Sequence, residues 1–466
     1  MLERRICFAI AKFAIHLTMD AAPPVCGWRA WGAVLGGVLI HLTLGNLYSF
    51  GNLTTYMTSY LHEEVSRDVT YSDVVWVMAL TLMAQGLFMP IGGILEARLG
   101  PRLTCCIGAV IMSLGVGLTR LTINCSVFAV AMTYGLLVGL GISLAYVSPM
   151  ACAMKWYPER KGLINGLIVA GFGLGALGST SLQTHYLNPD NISVAPSGYF
   201  EDPALLARVP SVFTVMAAVF AALQTLGCLL LSRPDVSLVR TTHTSNEEEE
   251  ELLDGQCDQR SSGASHGIRE DSENLTPRQM LRTRLFYHLW LIYLINTIAI
   301  GYINATYKSF GQTFLKDDFF LATVGALAAI FNASGRLFWG RLMDATTFKT
   351  SMCCLTCSLC VLFSTLPLTP LTSHPSAAYA AAVWCVFFTF CGTFVLMPTV
   401  TEKAFGARHY TTNYGLLFTT QVLSGVLVAS LNQLLLHAIG YTGCFLTVAF
   451  FSAFCLLVTL FLPRGL

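Results

Sequence analysis

Charged side chains are scarce in this sequence. Of its 466 residues, 27 are lysine or arginine and 26 are aspartate or glutamate, so that 11% are charged and the net charge is close to zero. A water-soluble domain usually carries about 25% charged residues, so the composition argues against one and favours a polytopic membrane protein. The chain also has no basic patch with interleaved aromatic residues, and we expect no binding to nucleic acid.

Clusters of metal-binding or catalytic side chains are missing as well. The 16 cysteines lie mostly in apolar runs, where a thiol behaves as a small hydrophobic group. Four cysteines recur at helical spacing within residues 353–360, but no histidine or carboxylate accompanies them, so we interpret them as packing residues. A membrane-embedded enzyme would need Asp, Glu or His clustered at bilayer depth. We therefore predict no metal, no cofactor and no enzymatic activity.

Apolar residues, in contrast, make up 54% of the chain and form runs long enough to cross roughly 30 Å of hydrocarbon. Hydropathy predicts twelve transmembrane helices. They lie near residues 29–50, 74–95, 103–122, 126–150, 162–185, 209–232, 286–308, 319–341, 350–368, 377–400, 412–436 and 441–462. Six spans, a polar gap and six more spans predict an all-α membrane protein with two six-helix bundles.

Polar segments divide this pattern into four parts. We expect residues 1–28 to be a cytoplasmic N-terminal tail, with an organelle-targeting segment as the alternative. Residues 29–232 and 286–466 are the two predicted six-helix bundles. Residues 233–285 are rich in Ser, Glu and Arg and cannot bury enough apolar surface to fold, so we predict a disordered cytoplasmic linker.

Basic residues outside the spans predict the orientation. Most of them fall on the side of the two termini and the central linker, whereas few, among them Arg67, Arg120 and Arg208, fall on the other. By the positive-inside rule both termini are cytoplasmic. We expect the plasma membrane, with an organelle envelope (mitochondrial or plastid) as the alternative.

One cation, Arg336, lies inside a predicted span. A charge at the centre of a membrane helix costs on the order of 2.5–3.5 kcal/mol, and it normally faces a bundle interior or a water-filled cavity. Its planar guanidinium matches the two oxygens of a carboxylate. Arg336 also lies only about one turn before Gly340, where it could instead reach the interface or pin a gate. Position alone supports both interpretations equally.

Two related turns occupy corresponding places in the two halves. They are residues 92–102 (GGILEARLGPR) and residues 340–344 (GRLMD). The first resembles the helix 2–3 loop motif of the major facilitator superfamily, and the second is its internal repeat. The sequence departs from the motif by placing Ala97 where the family usually has an aspartate, with Glu96 one position earlier. The resemblance implies a gate on the cytoplasmic side. Its predicted residues are Gly92, Glu96, Arg98, Gly100, Arg102, Gly340 and Asp344.

Three further stretches resemble one branch of that superfamily. Residues 155–176 are similar to the loop 4–5 and helix 5 signature of the oxalate/formate antiporter and monocarboxylate porter branch. Residues 405–421 and 45–50 are similar to its helices 11 and 1. The resemblance covers nearly the whole chain apart from the tail and the linker. It implies the major facilitator fold and the transport of a small organic anion by alternating access.

The resemblance makes Arg336 the carboxylate-binding arginine of the eighth span. Asn332 stands where animal monocarboxylate porters have an aspartate, Asn52 stands near their helix 1 lysine, and Gln421 stands where the oxalate carrier has a second cation. A single cation suits one carboxylate, because a second would be buried unpaired. We therefore expect a monocarboxylate such as pyruvate or lactate. The predicted substrate-binding residues are Arg336, Gln421, Asn52, Tyr48, Asn332 and Tyr146.

The transport mode stays open at this level. No carboxylate lies clearly within a predicted helix, which weakens a proton-linked mechanism. His41 can titrate, although a histidine within a helix is more often only hydrogen-bonded. Uniport, exchange and proton-linked transport remain alternatives, and so do another small solute (oxalate, formate, an amino acid or a drug-like compound) and a non-transporting membrane sensor. The expected partners are the organic anion and the lipid bilayer.

Overall fold

The computed structural model describes most of the chain between residues 27 and 463. Outside the described part lie residues 1–26, 191, 193, 194, 196, 198, 234–273, 316 and 464–466. The predicted tail and most of the predicted linker therefore fall outside it. The described residues are almost entirely helical.

In the N-terminal half, long helices follow one another with short connections. They are α1 (Gly27–Val65), α2 (Tyr71–Leu99), α3 (Pro101–Thr122), α4 (Val127–Met154), α5 (Lys161–Leu187) and α6 (Pro203–Leu230). Helix α1 tightens into a 3-10 turn at Gly45–Ser49 and continues fifteen residues beyond its predicted end at residue 50. Capping side chains mark several helix starts; before α6, for example, the Asp202 side chain accepts a hydrogen bond from the Leu205 amide at 2.8 Å.

The C-terminal half is built in the same way. Its helices are α7 (Arg284–Gln312), α8 (Asp318–Ala345), α9 (Phe348–Thr365), α10 (Pro375–Phe405), α11 (Tyr410–Phe418) and α12 (Thr420–Leu460). Helix α12 breaks at Gly440, where φ is 64° and ψ is −178°, a conformation that favours glycine.

Ten helical segments of the described part are long and apolar enough to cross a membrane. The predicted spans near residues 319–341 and 412–436 are helical in the structure but are not among these ten. The twelve-span count therefore remains a prediction.

The end of the predicted linker is structured, in contrast to our expectation. Thr276 caps the short helix Pro277–Met280, and the Gln279 side chain bonds back to the Thr276 amide at 2.9 Å. The amide of Leu275 donates to the carbonyl oxygen of Phe405 at 3.0 Å. A capping box needs only polar residues, so a polar composition did not rule out this short ordered segment.

The two halves meet where small residues let helices approach closely. At the crossing of α5 and α8, a Cβ added to Gly340 would collide with the carbonyl oxygen of Gly162. At the crossing of α2 and α11, Gly93 lies against the backbone of Thr412, and Gly415 against that of Met89. We call this face, where α2, α4 and α8 end, the closed side.

Large apolar side chains cover the outer surface of the molecule. Examples in both halves are Phe128, Leu114, Leu229, Phe450 and Leu457, all of them exposed. An outer surface of this kind is what a helix bundle presents to lipid, because the hydrocarbon interior offers no hydrogen bonds.

Candidate substrate site and gate

Arg336 lies in α8 at the contact with α5, and only 1% of its surface is exposed. Its Nε donates to Oδ1 of Asn332 at 2.9 Å, and its Nη1 donates to the carbonyl oxygen of Val169 at 2.7 Å. Its Cζ lies 5.7 Å from the ring centroid of Phe172 and 5.6 Å from that of Phe394. The guanidinium is thus enclosed between the two halves and does not point out of the protein.

This cation has no carboxylate partner among the described residues. The two acceptors that it does have, an amide oxygen and a backbone carbonyl, are uncharged. These two bonds use two of the five N–H groups of the guanidinium. A buried charge without a counter-ion is unfavourable by several kcal/mol. The arrangement therefore leaves both a charge and hydrogen-bond donors for one incoming carboxylate.

Two of the predicted tyrosines lie beside Arg336. Tyr48, in the 3-10 turn of α1, packs edge-on against Phe172 with centroids 5.3 Å apart and interacts with the guanidinium. Tyr146 of α4 packs against the same phenylalanine at 5.7 Å. Phe172 is therefore the common neighbour of Arg336 and both tyrosines, a role that the sequence did not indicate.

Asn52 has other partners in the described contacts. Its Nδ2 donates to Oε1 of Gln183 at 3.1 Å and to Oγ1 of Thr184 at 3.3 Å. It lies about one helical turn after Tyr48, which interacts with the guanidinium. Substrate binding by Asn52 remains a prediction. In this structure Asn52 joins α1 to the far end of α5.

Gln421 also stays apart from Arg336 in the described contacts. It begins α12, where the Ser424 hydroxyl lies 3.2 Å from its carbonyl oxygen and 3.5 Å from its Oε1. Its Cβ lies against Gly86 of α2. Substrate binding by Gln421 remains a prediction. The side-chain oxygen of Asn332, in contrast, accepts the hydrogen bond from Nε of Arg336 and so orients the guanidinium.

The repeat in the C-terminal half makes a contact across the halves on the closed side. Asp344, at the end of α8, accepts hydrogen bonds from the amides of Gly162 at 2.9 Å and Leu163 at 2.7 Å. These amides begin α5, where a carboxylate satisfies unpaired donors and the helix dipole. Next to them, Nζ of Lys161 lies 2.8 Å from Oε2 of Glu402 on α10. One hydrogen-bonded carboxylate and one ion pair therefore join α5 to the C-terminal half.

In the first copy of the motif, Glu96 makes the contact between halves. Its Oε1 pairs with Nη2 of Arg233 at 2.7 Å, and its Oε2 accepts a hydrogen bond from the hydroxyl of Thr411, in the first turn of α11, at 3.1 Å. Glu96 precedes by one residue the position where the family motif has an aspartate, and its side chain still contacts the C-terminal half. Glu96 and Glu402 also correct the expectation that no carboxylate lies clearly within a helix, because both lie in the last turns of α2 and α10.

The remaining predicted gate residues hold helices within the N-terminal half. Gly92 packs against the backbone of α4. Gly100 ends α2 with φ of 85°, which favours glycine. Arg102 donates to carbonyl oxygens at the end of α6 and so caps that helix. Arg98 is exposed. These residues fix the helix ends that carry Glu96 rather than contacting the other half.

Sequence reasoning missed several other contacts between the halves. Nδ2 of Asn165 donates to the carbonyl oxygen of Val395 at 3.1 Å and to Oγ1 of Thr399 at 3.2 Å. An amide inside a glycine-rich helix was a visible signal for such a bond, because it needs a partner when buried. The aromatic rings around Arg336 and the Lys161–Glu402 pair carried no such signal.

Comparisons with known proteins address the family and the fold. A family model described as Major Facilitator Superfamily matches residues 34–429. The sequence is 31% identical to apicoplast pyruvate carrier 1 of Toxoplasma gondii, over 89% of this chain and 85% of the relative. It is 23% identical to the oxalate:formate antiporter of Oxalobacter formigenes, over 85% and 84%. A solved structure of the proton:xylose symporter XylE superimposes with a TM-score of 0.66 at 12% identity, over 94% of this chain and 96% of that chain.

Proposed function

Because this chain belongs to the major facilitator superfamily, in its monocarboxylate porter and oxalate/formate antiporter branch, we propose that it carries a small monocarboxylate, pyruvate- or lactate-like, across a membrane by alternating access. The chain is a multi-pass membrane transporter and not an enzyme. The substrate, the twelve spans in two six-helix bundles and the residues involved are our proposals.

The observation that carries the substrate class is Arg336. It is a fully enclosed cation, oriented by neutral acceptors, with no described carboxylate beside it. A monocarboxylate would neutralise it, whereas a dicarboxylate would leave one negative charge without a partner. The names of two relatives, a pyruvate carrier and an oxalate:formate antiporter, support a carboxylate as well.

The contacts between the halves on the closed side are the basis of the proposed alternating access. The contacts of Asp344, Lys161 and Glu96 described above join the halves there, whereas residues 50–60 at the other end of α1 pack mainly against their own half. We propose that these contacts latch the carrier in a state open to the opposite side. With most basic loops on the closed side, that side would be cytoplasmic. An organelle membrane is supported by the apicoplast relative.

The test is uptake of labelled pyruvate, lactate, formate and oxalate by a host that lacks such carriers. We expect saturable uptake of pyruvate or lactate. Arg336→Gln should lower kcat/KM about 100-fold, because truncating one partner of a buried charged contact costs about 2–5 kcal/mol. Arg341→Gln is the matched control, since Arg341 lies on the same helix but is exposed. Equal uptake by the two variants at equal surface expression would refute the role of Arg336.

Two other functions are separated by the same assay. Saturable uptake of another small solute, such as an amino acid or a drug-like compound, without pyruvate or lactate would replace the proposed substrate. Binding of a monocarboxylate without net flux or exchange would identify a sensor instead of a carrier.

A further inference from the structure

His41 of α1 is completely buried and is hydrogen-bonded at only one of its two nitrogens. Its Nδ1 lies 2.9 Å from the carbonyl oxygen of Gly37, one turn earlier on α1, so Nδ1 carries a hydrogen and donates it. Its Nε2 has no hydrogen-bond partner among the described residues. In the neutral ring Nε2 then has only a lone pair, and it is a buried acceptor with nothing to accept.

The backbone of Tyr146 on α4 also interacts with the imidazole ring, while Nε2 makes no hydrogen bond of normal geometry to a described residue. Backbone acceptors on α1 and α4 therefore lie at a ring that has a single N–H when it is neutral. A ring protonated at both nitrogens has two donors, and a small shift would let it satisfy both acceptors. These acceptors favour an imidazolium, whereas burial favours the neutral imidazole.

Burial of the ring opposes that protonation most, and the charge near the ring adds to this effect while the substrate site is empty. The ring of Tyr146 lies 5.0 Å from His41 and that of Phe172 on α5 lies 6.5 Å away. Phe172 also contacts Arg336 of α8 and Tyr48 of α1, and α6 presents uncharged groups to α1. Of these described neighbours only Arg336 is charged, and its positive charge repels a second cation.

Building on the proposed function, we propose that His41 is the proton-binding residue of this carrier, and that its protonation is coupled to the binding of a monocarboxylate at Arg336. The carboxylate cancels the charge of Arg336, so the repulsion disappears. Nε2 then takes a proton from water on the open side and donates it in a hydrogen bond to the Tyr146 carbonyl. Linkage is reciprocal, so a protonated His41 strengthens anion binding by the same factor.

The charges balance over one transport cycle. The empty site has a charge of +1 from Arg336, and the loaded site again has +1 from Arg336, protonated His41 and one carboxylate. The transported pair, one anion and one proton, is electroneutral. His41 thus provides proton-linked transport without any carboxylate next to the substrate.

The experiment uses the full-length protein in proteoliposomes that contain a pH-sensitive dye, with pyruvate as the probe. We compare wild type, His41→Gln and His185→Gln. His185 is the matched control, because its Nδ1 makes the same bond to a carbonyl four residues earlier (Ser181, 2.8 Å) while the side chain is exposed.

Wild type and His185→Gln should move one proton with each pyruvate. Their uptake below saturation should fall about tenfold per pH unit on the alkaline limb, as expected for one linked proton. His41→Gln should still exchange labelled pyruvate at saturation, but proton movement and the acceleration by an acidic exterior should be lost. His41→Asn serves as a second variant, and each variant is compared at equal reconstituted amounts and thermal stability.

Two results would overturn the assignment while leaving the proposed function intact. One is pyruvate-driven proton movement in His41→Gln or His41→Asn, and the other is pyruvate uptake by wild type without proton movement. If wild type moved no monocarboxylate at all, the proposed function would fail first, and the assignment of His41 with it.

Discussion

The guanidinium of Arg336 is oriented by two neutral acceptors, Asn332 and the backbone carbonyl of Val169. A neutral acceptor fixes the direction of the side chain but leaves its charge for a ligand. A carboxylate in the same place would form a charge-assisted bond and take up that charge. The amide at position 332 is therefore the residue that keeps Arg336 available.

We predict that Asn332→Asp raises KM for pyruvate by about tenfold or more at neutral pH, since an internal ion pair would compete with the substrate. Acid should reverse the effect more steeply than in wild type, because protonation of the new carboxyl releases Arg336. Uptake kinetics across a pH series measure this. Asn332→Ala, which removes the acceptor without adding charge, is the control, and identical pH profiles for the two variants would contradict the prediction.

At the scale of elements, α5 is the helix on which the halves meet. A Cβ added to Gly166 would lie 2.5 Å from the carbonyl oxygen of Arg336, whereas one added to Gly178, further along α5, would meet nothing within 4 Å. The contact between α5 and α8 therefore depends on particular glycines. Gly178 on the same helix has no such contact.

We predict that Gly166→Ala lowers the maximal uptake rate about tenfold or more, because the added methyl group forces α5 and α8 apart. Gly178→Ala, the same change on the same helix, should stay within about twofold of wild type. Both are measured by pyruvate uptake at equal expression. Similar rates for the two variants would show that the close approach at Gly166 does not matter for transport.

For the whole molecule, the balance between the two access states depends on few polar contacts between the halves. Nζ of Lys161 and Oε2 of Glu402 are 2.8 Å apart, with side chains 23% and 7% exposed. Partial exclusion of water makes this pair stronger than a fully exposed one. Breaking it should favour the state that opens the closed side.

A double-mutant cycle with Lys161→Met and Glu402→Gln tests this idea. We expect each single change to shift the ratio of pyruvate KM values measured from the two membrane faces, and the double change to shift it less than the sum, with a coupling of about 1 kcal/mol. Right-side-out and inside-out vesicles give the two KM values. The Glu63–Arg67 pair, within the N-terminal half and with Arg67 71% exposed, is the control cycle. Additive effects at Lys161 and Glu402 would rule out the latch.

The sequence by itself determined the features that depend on neighbouring residues. Apolar runs located the helices, mostly to within a few residues, because burial in lipid acts on each segment separately. Motifs at residues 92–102, 155–176 and 340–344 identified the family and its branch, which the comparisons confirm. Arg336 stood out because one charge within an apolar run is unusual wherever the helix packs.

Only the tertiary structure decided which side chains meet. Val169 and Arg336 are 167 positions apart in sequence, and Lys161 and Glu402 are 241 apart, so no local pattern records either contact. Asn52 was placed near the substrate by its position in the first span, but only the packing of α1 against α5 showed that its amide bonds to Gln183. His41 looked like an ordinary helix histidine until packing showed its second nitrogen without a partner. Helices form from local physics, whereas a site between them depends on how they pack.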